Sequence, residues 1–295
     1  MVSGSDASCP SDVAIAVLPY GRALGPALAS VPVDELIWPV GMPTRLSGKT
    51  VGDLAASDHL IVFPKTTTHT TVRRGTRARI SLILGEPSVI HAKHIRLLRL
   101  THWRFHRVLT FNVDLLKALP NAVFFPLGTT WVPEWETLNL SKSRHMSLIA
   151  SAKRDSAGHL LRHAMVDFVR DANIDCEVMG RGYIPFSAKA DGLAPFRYSV
   201  VIENVRETNY FSEKLVDAVL CDTVPIYWGC PNIADFVDTR GMVICTNEDE
   251  MWDAIRAASV EDYEDRLPHL RAIRSELLRF CDLERRAAEA IRATL

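Results

Sequence analysis

Several protein classes are excluded by what this 295-residue sequence does not contain. No two of its six cysteines, Cys9, Cys176, Cys221, Cys230, Cys245 and Cys281, stand in a C-x-x-C spacing, and three lie in or beside apolar runs. Buried thiols in a reducing compartment fit this better than a disulfide framework or a structural zinc site. No apolar run approaches the roughly 18 residues that a membrane span requires. The first 21 residues, "MVSGSDASCPSDVAIAVLPYG", have no basic n-region and too short an apolar run for a secretory leader. Charge of one sign is not in excess either: 34 Lys and Arg face 35 Asp and Glu, for a formal net charge of −1. Nucleic acid is therefore not expected as a partner, and any anion site has to be local. No G-x-G-x-x-G follows an apolar run; "GRGYIPF" (180–186) comes nearest and does not fit, which argues against a Rossmann dehydrogenase. The expectation is a soluble cytoplasmic protein.

What the sequence does contain is short β-branched runs separated by helix-like stretches. "VAIAVL" (13–18), "HLIVF" (59–63), "RISLIL" (79–84), "RVLTF" (107–111) and "AVFF" (122–125) are apolar on both faces, the pattern of parallel strands covered by helices. Asn112 is placed to cap a short helix ending before Pro120. A polar, turn-rich stretch at 128–145 reads as a linker, after which the alternation restarts. "MSLIAS" (146–151) is a strand and 160–172 an amphipathic helix with Leu161, Ala164, Met165 and Phe168 on one stripe. Strands at "DCEVMG", "RYSVVIEN", "TVPIYWG" and "GMVICTN" complete the set, with a long loop at 181–196. The expected fold is α/β, two Rossmann-like domains facing each other across a cleft, divided as 1–140, 141–265 and a helical tail at 266–295. In the tail, Leu270, Ile273, Leu277 and Leu278 are spaced to face the protein, and the opposite face is rich in arginine.

The stretch "YSVVIENVRETNYFSEKLVDAVLCDTVPIYWGC" (198–230) sets charged residues between two apolar runs. Glu203 and Asn204 end a strand, at the carboxyl edge where open α/β sheets bind ligands. Glu213 and Lys214 fall in the first turn of the following helix, capped by Ser212 or Asn209. A helix N-terminus beside a lysine suits a pyrophosphate, and a first-turn glutamate suits ribose hydroxyls. The plain alternative is a dipole-favouring Glu beside a solvated Lys. Pro225 opens the next strand, and Gly229 breaks it where the backbone must turn close to something.

This stretch resembles the nucleotide-sugar signature of the family-10 glycosyltransferases, the α-1,3/α-1,4-fucosyltransferases, especially the bacterial ones. The matching positions are Phe196, Glu203, Asn204, Tyr210, Glu213, Lys214, Thr223, Pro225 and Gly229. Upstream, "MSLIASAKRDSAGHLLRHAMVDFV" is similar to the family's strand, serine loop and helix carrying an arginine, here Arg162, with Arg154 in the loop as the competing choice. "LGEPSVIHAKH" is similar to its acceptor-side motif and "FFPLGTTWV" to the segment closing its first domain.

The resemblance implies a GT-B type fold and inverting transfer of fucose from GDP-fucose to a hydroxyl of an acceptor glycan. Glu86 would be the general base. Arg162, Glu203, Asn204, Tyr210, Glu213 and Lys214 would bind the donor. Two alternatives stay open: a GT-B enzyme using another nucleotide sugar, and a non-catalytic glycan-binding homologue. No D-x-D triplet is present to hold a metal on the diphosphate. The histidine pair His91 and His94 lacks a third ligand in the sequence, so neither a metal nor a cofactor is expected. Partners are the nucleotide sugar and an acceptor glycan, with peripheral contact to the inner membrane available to the Arg-rich tail.

Overall fold

The structure, a computed structural model, describes residues 12–295, so Cys9 and the stretch before Asp12 that was read for a leader lie outside it. The chain divides into two compact units, one running to Phe125 and including Leu283–Leu295, the other spanning Pro126–Asp282.

The first unit is a five-stranded parallel sheet with strands in sequence order: β1 (Ile15–Val17), β2 (His59–Val62), β3 (Arg79–Leu84), β4 (Val108–Thr110) and β5 (Ala122–Phe124). Each lies within the run that the sequence pattern marks; β3 fills its run, β2 and β5 are trimmed at one end, and β1 and β4 at both. Helices α1 (Thr66–Thr70), α2 (Ser88–Thr101) and α3 (Val113–Ala118) occur in the connections. Asn112 caps α3 as expected, its side chain accepting from the Leu115 N–H at 2.9 Å. Parallel strands laid down in order, with right-handed crossovers, put every connection on the same face of the sheet. That face buries Ala16, Leu60, Ile80 and Leu82 beneath Leu28, Leu46, Leu98 and Leu115 of the connections. The opposite face carries Ile15, Val17, Ile61, Ile83 and Leu109; Ala287, Ala288 and Ile291 of the chain's last helix cover it, with Val40 of the β1–β2 connection packed beside them.

The second unit is also an all-parallel sheet, in the order β10-β9-β8-β6-β7. Its strands are β6 (Arg144–Ile149), β7 (Cys176–Met179), β8 (Phe196–Ile202), β9 (Val224–Trp228) and β10 (Val243–Ile244). The chain runs outward from β6 to β7, then crosses back to β8 on the other side. The switch point therefore lies between β6 and β8, where ligands bind such sheets at the carboxyl ends. The helices are α4 (Ala157–Asp171), α5 (Glu213–Leu220), α6 (Glu248–Ala257), α7 (Val260–Ala272) and α8 (Arg274–Leu278).

Two expectations change. The tail is not one element: Leu270, Ile273 and Leu277 are buried in the second unit's core, whereas α9 (Leu283–Arg292) belongs to the first unit. The buried stripe of α4 is also rotated: Met165 is buried as expected, but with Val166, Val169, Arg162 and His163, while Leu161, Ala164 and Phe168 are only partly so. Phe168 stacks on Trp252 at 5.5 Å, and the polar pair turns towards the strand ends. The five described cysteines are free; Cys221, Cys230 and Cys245 are buried, and burial pushes their thiols up to about 12, 11 and 11.

Candidate active site

At the β6–β8 switch point the second unit holds a cavity of about 890 Å³. Ile149 and Lys153 line it from the β6 side, Ile202 and Asn204 from the β8 end, and Arg162, Glu213 and Lys214 from helices α4 and α5. Five Lys or Arg residues (Lys153, Arg162, Arg181, Lys189, Lys214) and two glutamates (Glu134, Glu213) line this cavity of a chain that is nearly neutral overall. The positive charge is gathered locally at this cavity rather than spread over the chain.

Helix α4 starts here because Ser156 caps it, accepting from the His159 N–H at 3.2 Å. Its next residue but one is a glycine for a steric reason. A Cβ on Gly158 would lie 1.7 Å from the Glu203 carbonyl oxygen, and the Gly158 N–H donates to the Asn204 carbonyl at 2.9 Å. The backbone at the start of α4 thus rests directly on the end of β8. One turn later, Arg162 donates from Nε and Nη2 to the Ile202 carbonyl at 3.0 and 2.8 Å, and from Nη2 to Asn204 Oδ1 at 2.8 Å. Burial lowers the guanidinium pKa, with Glu203, Tyr210 and Glu213 pulling the other way, but an arginine keeps its charge. Nη1 makes no hydrogen bond to a described residue. Arg154, the competing arginine, is exposed and does not line the cavity.

Helix α5 is anchored from beneath. Glu203 is fully buried and accepts from the Ser212 N–H at 2.8 Å and the Ser212 hydroxyl at 2.6 Å, with Lys214 Nζ at 3.6 Å. Ser212, rather than Asn209, caps the helix. Lys214 Nζ also donates to Glu213 Oε1 at 3.0 Å and to Ser212 Oγ at 3.1 Å. Burial depresses the ammonium, but Glu203 and Glu213 outweigh it and the pKa is raised. Burial raises the Glu213 carboxyl, and Lys214 and Lys189 reverse this to a net lowering. Both groups are held charged at the cavity wall.

The structure therefore brings Arg162, Asn204, Glu213 and Lys214 together, and sets Glu203 and Tyr210 apart from them. Glu203 does not line the cavity; both its oxygens are used to fix the first turn of α5. Tyr210 is 1% exposed and does not line the cavity either. Gly229 has the close approach its position suggests: a Cβ there would lie 2.4 Å from the Tyr227 hydroxyl and 2.6 Å from Glu203 Cγ. Glu86 lies in the first unit, exposed, immediately beyond β3 and before α2.

Other lining residues lie outside the strand–helix segment 198–230. Lys189 comes from the long loop read only as a loop, and its ammonium sits 5.9 Å from the centre of the Trp131 ring. Trp131 is fixed through Asp217, which accepts from the Trp131 N–H at 2.9 Å and the Thr130 hydroxyl at 2.7 Å. Burial pushes Asp217 up to about 6, those two bonds partly opposing it. His163 donates from Nε2 to the Lys153 carbonyl at 3.0 Å and pairs through Nδ1 with the Tyr183 hydroxyl at 2.9 Å, which ties two loops beside the cavity together. For Asp217 and His163 the sequence signal was a polar residue on an otherwise amphipathic helix; Lys189, in its loop, gave none. Among the described residues, no group of three or more His, Cys, Asp or Glu is arranged to hold a metal ion.

No family model matches the chain. Over 55 residues, 19% of this chain, it is 33% identical to the alpha-(1,3)-fucosyltransferase FucT of Helicobacter pylori, and that match spans 12% of the relative's length. A solved alpha1,3-fucosyltransferase shares its fold with a TM-score of 0.52 at 17% identity, over 77% of each chain. TarM does so with a TM-score of 0.53 at 11% identity, over 81% of this chain and 55% of that one. The fold is the GT-B fold of the glycosyltransferases. Within it, the resemblance to the family-10 fucosyltransferases holds in the local sequence match and in the fold.

Proposed function

We propose that the protein is an inverting glycosyltransferase that moves fucose from GDP-fucose to a hydroxyl of an acceptor glycan. The observation that carries this reading is the cation-lined cavity at the β6–β8 switch point, with Arg162 and Lys214 held charged on two of its walls. A diphosphate bound between them gains charge-assisted hydrogen bonds, and the α5 N-terminus adds its partial positive charge. Glu213 takes the ribose hydroxyls. Arg162 and Lys214 then stabilise the charge that develops as the bond between the sugar's anomeric carbon and the β-phosphate oxygen breaks and GDP leaves. The acceptor oxygen forms the new bond from the opposite face of the ring, and Glu86 removes its proton. Cations and helix terminus supply the electrostatic stabilisation in this scheme, and no metal enters it.

Equilibrium titration with GDP-fucose, GDP-mannose and UDP-sugars tests the donor. Tightest binding of GDP-fucose is expected; equal or tighter binding of a UDP-sugar sinks the fucosyl reading and leaves the fold intact. Replacing Glu86 with Ala is expected to abolish transfer and leave donor affinity within about twofold, since a base contributes to the transition state rather than to ground-state binding. Undiminished turnover would place the base elsewhere.

A further inference from the structure

Charge is not spread evenly along this chain. Residues 65–107 contain ten Lys or Arg and a single acidic residue, Glu86, in a protein whose totals are 34 and 35. Helix α2 (Ser88–Thr101) has no acidic residue at all. Its outward positions Val89, Lys93, Arg96 and Leu100 follow one another at steps of four, three and four, which lays them along one exposed stripe. Trp103, in the 3-10 turn that continues the helix, extends the stripe.

Large apolar side chains on this surface are open to solvent. Val72 is 86% exposed, Leu100 76% and Trp103 72%, with Val89 and Ile90 exposed beside them. Arg104 joins the pieces: it donates to the Thr71 carbonyl, next to Val72, and its guanidinium lies 5.6 Å from the centre of the Trp103 ring. Arg73, Arg77, Arg79 and Arg99 are exposed on the same segment. The Arg-rich tail, by contrast, has no apolar face to offer: α9 buries Ala287, Ala288 and Ile291 in the first unit, and Arg285 pairs with Glu289 at 3.2 Å.

We propose that the α1–α2 surface of the first unit docks on an anionic lipid bilayer, with Lys93, Arg96 and their neighbours on the headgroups and Val72, Leu100 and Trp103 in the headgroup–acyl boundary. Charge complementarity selects an anionic partner. The exposed aliphatics select a bilayer over nucleic acid or an acidic glycan, because neither gives a return for desolvating Leu100 or Val72, whereas the acyl boundary does. Such docking concerns a surface outside the cavity and stands independently of the donor reading.

Flotation of the full chain with phosphatidylcholine vesicles, with and without phosphatidylglycerol, tests this. Binding is expected only when phosphatidylglycerol is present. Partition should fall about tenfold in a Lys93→Glu/Arg96→Glu variant and by a similar factor in a Leu100→Ser/Trp103→Ser variant, and stay at the wild-type level in an Arg285→Glu/Arg292→Glu variant. On the unaltered chain, hydrogen exchange should show vesicle-dependent protection within 65–107 and none in 283–295. Absence of binding to phosphatidylglycerol vesicles, or loss confined to the 285/292 variant, overturns the proposal. So does loss in the charge variant alone with the Leu100/Trp103 variant binding normally, which would make the surface a general polyanion site.

Discussion

At the scale of single residues, the two glutamates of the strand–helix segment have opposite duties although the sequence presents them alike. Glu213 lines the cavity; Glu203 lies beneath the helix start with both oxygens occupied by Ser212. Lys214→Ala should therefore weaken GDP binding by roughly 10- to 100-fold, the range for one lost charge-assisted bond, and also lower the melting temperature, because Glu203 and Glu213 lose their shared cation. Glu203→Gln should do the reverse in emphasis, lowering the melting temperature by leaving a buried amide against the Ser212 donors and Lys214, and weakening GDP only through the displaced turn. Titration calorimetry and thermal denaturation of the two variants separate the roles, and identical profiles would refute the division. Gly158 is the most sterically constrained position beside the site. Gly158→Ala puts a methyl group into the Glu203 carbonyl, 1.7 Å away, so α4 has to lift from the end of β8 and carry Arg162 with it. A loss on the order of 1–3 kcal/mol in stability is expected, together with a larger loss of GDP affinity than stability alone explains; wild-type affinity would show that the helix start has room. Sequence reasoning marks Glu203, Asn204, Glu213 and Lys214 by position, but only packing tells which of them faces solvent.

At the scale of elements, the first unit has a buried histidine layer that makes its stability depend on pH. His59 and His106 meet edge-on at 4.7 Å, and His69 Nε2 lies 3.0 Å from His94 Nδ1, fastening α1 to α2. Burial, and then the neighbouring His and Arg charges, push His59 and His69 down to about 4, and burial and His94 do the same to His91. Between the ordinary value near 6.5 and about 4 the unfolded chain binds protons that the folded one refuses. Stability is thus full above about 6.5 and is lost as pH falls through that window, by on the order of 1–3 kcal/mol for each fully buried ring. Asp217 of α5 opposes this from the second unit: pushed up to about 6, it favours the folded state below about 4 and loses that contribution as pH rises through 6. Urea midpoints measured from pH 4 to 7 should rise with pH, and the slope should flatten in a His59→Leu variant; an unchanged slope would locate the titration elsewhere. The existence of most of these elements is legible in the sequence because strand and helix periods differ. The rotation of α4 is not, since its buried face combines Met165, Val166 and Val169 with Arg162, which donates to Ile202 and Asn204, residues distant in sequence.

At the scale of the whole molecule, the last helix closes the first unit. The face of Ile15, Val17, Ile61, Ile83 and Leu109 is covered by α9, and Arg286 lies 4.6 Å from the centre of the Phe125 ring at its edge. A chain ending at Asp282 should expose this face, bind a hydrophobic dye and aggregate, while the second unit still binds GDP; a truncated chain as soluble and dye-silent as the full one would show that the face is covered otherwise. By itself the sequence determined the α/β class, the strands to within three residues at each end, and the strand–helix segment that resembles the fucosyltransferases, because period, capping and motif are local properties of the chain. Tertiary structure decided the rest: that the tail divides between the two units, that Glu203 supports while Glu213 faces the cavity, and that Lys189 and Trp131 join the site. Each of these depends on contacts between residues distant in sequence, and a sheet with all its connections on one face leaves the other to whatever remote segment the chain can return to it.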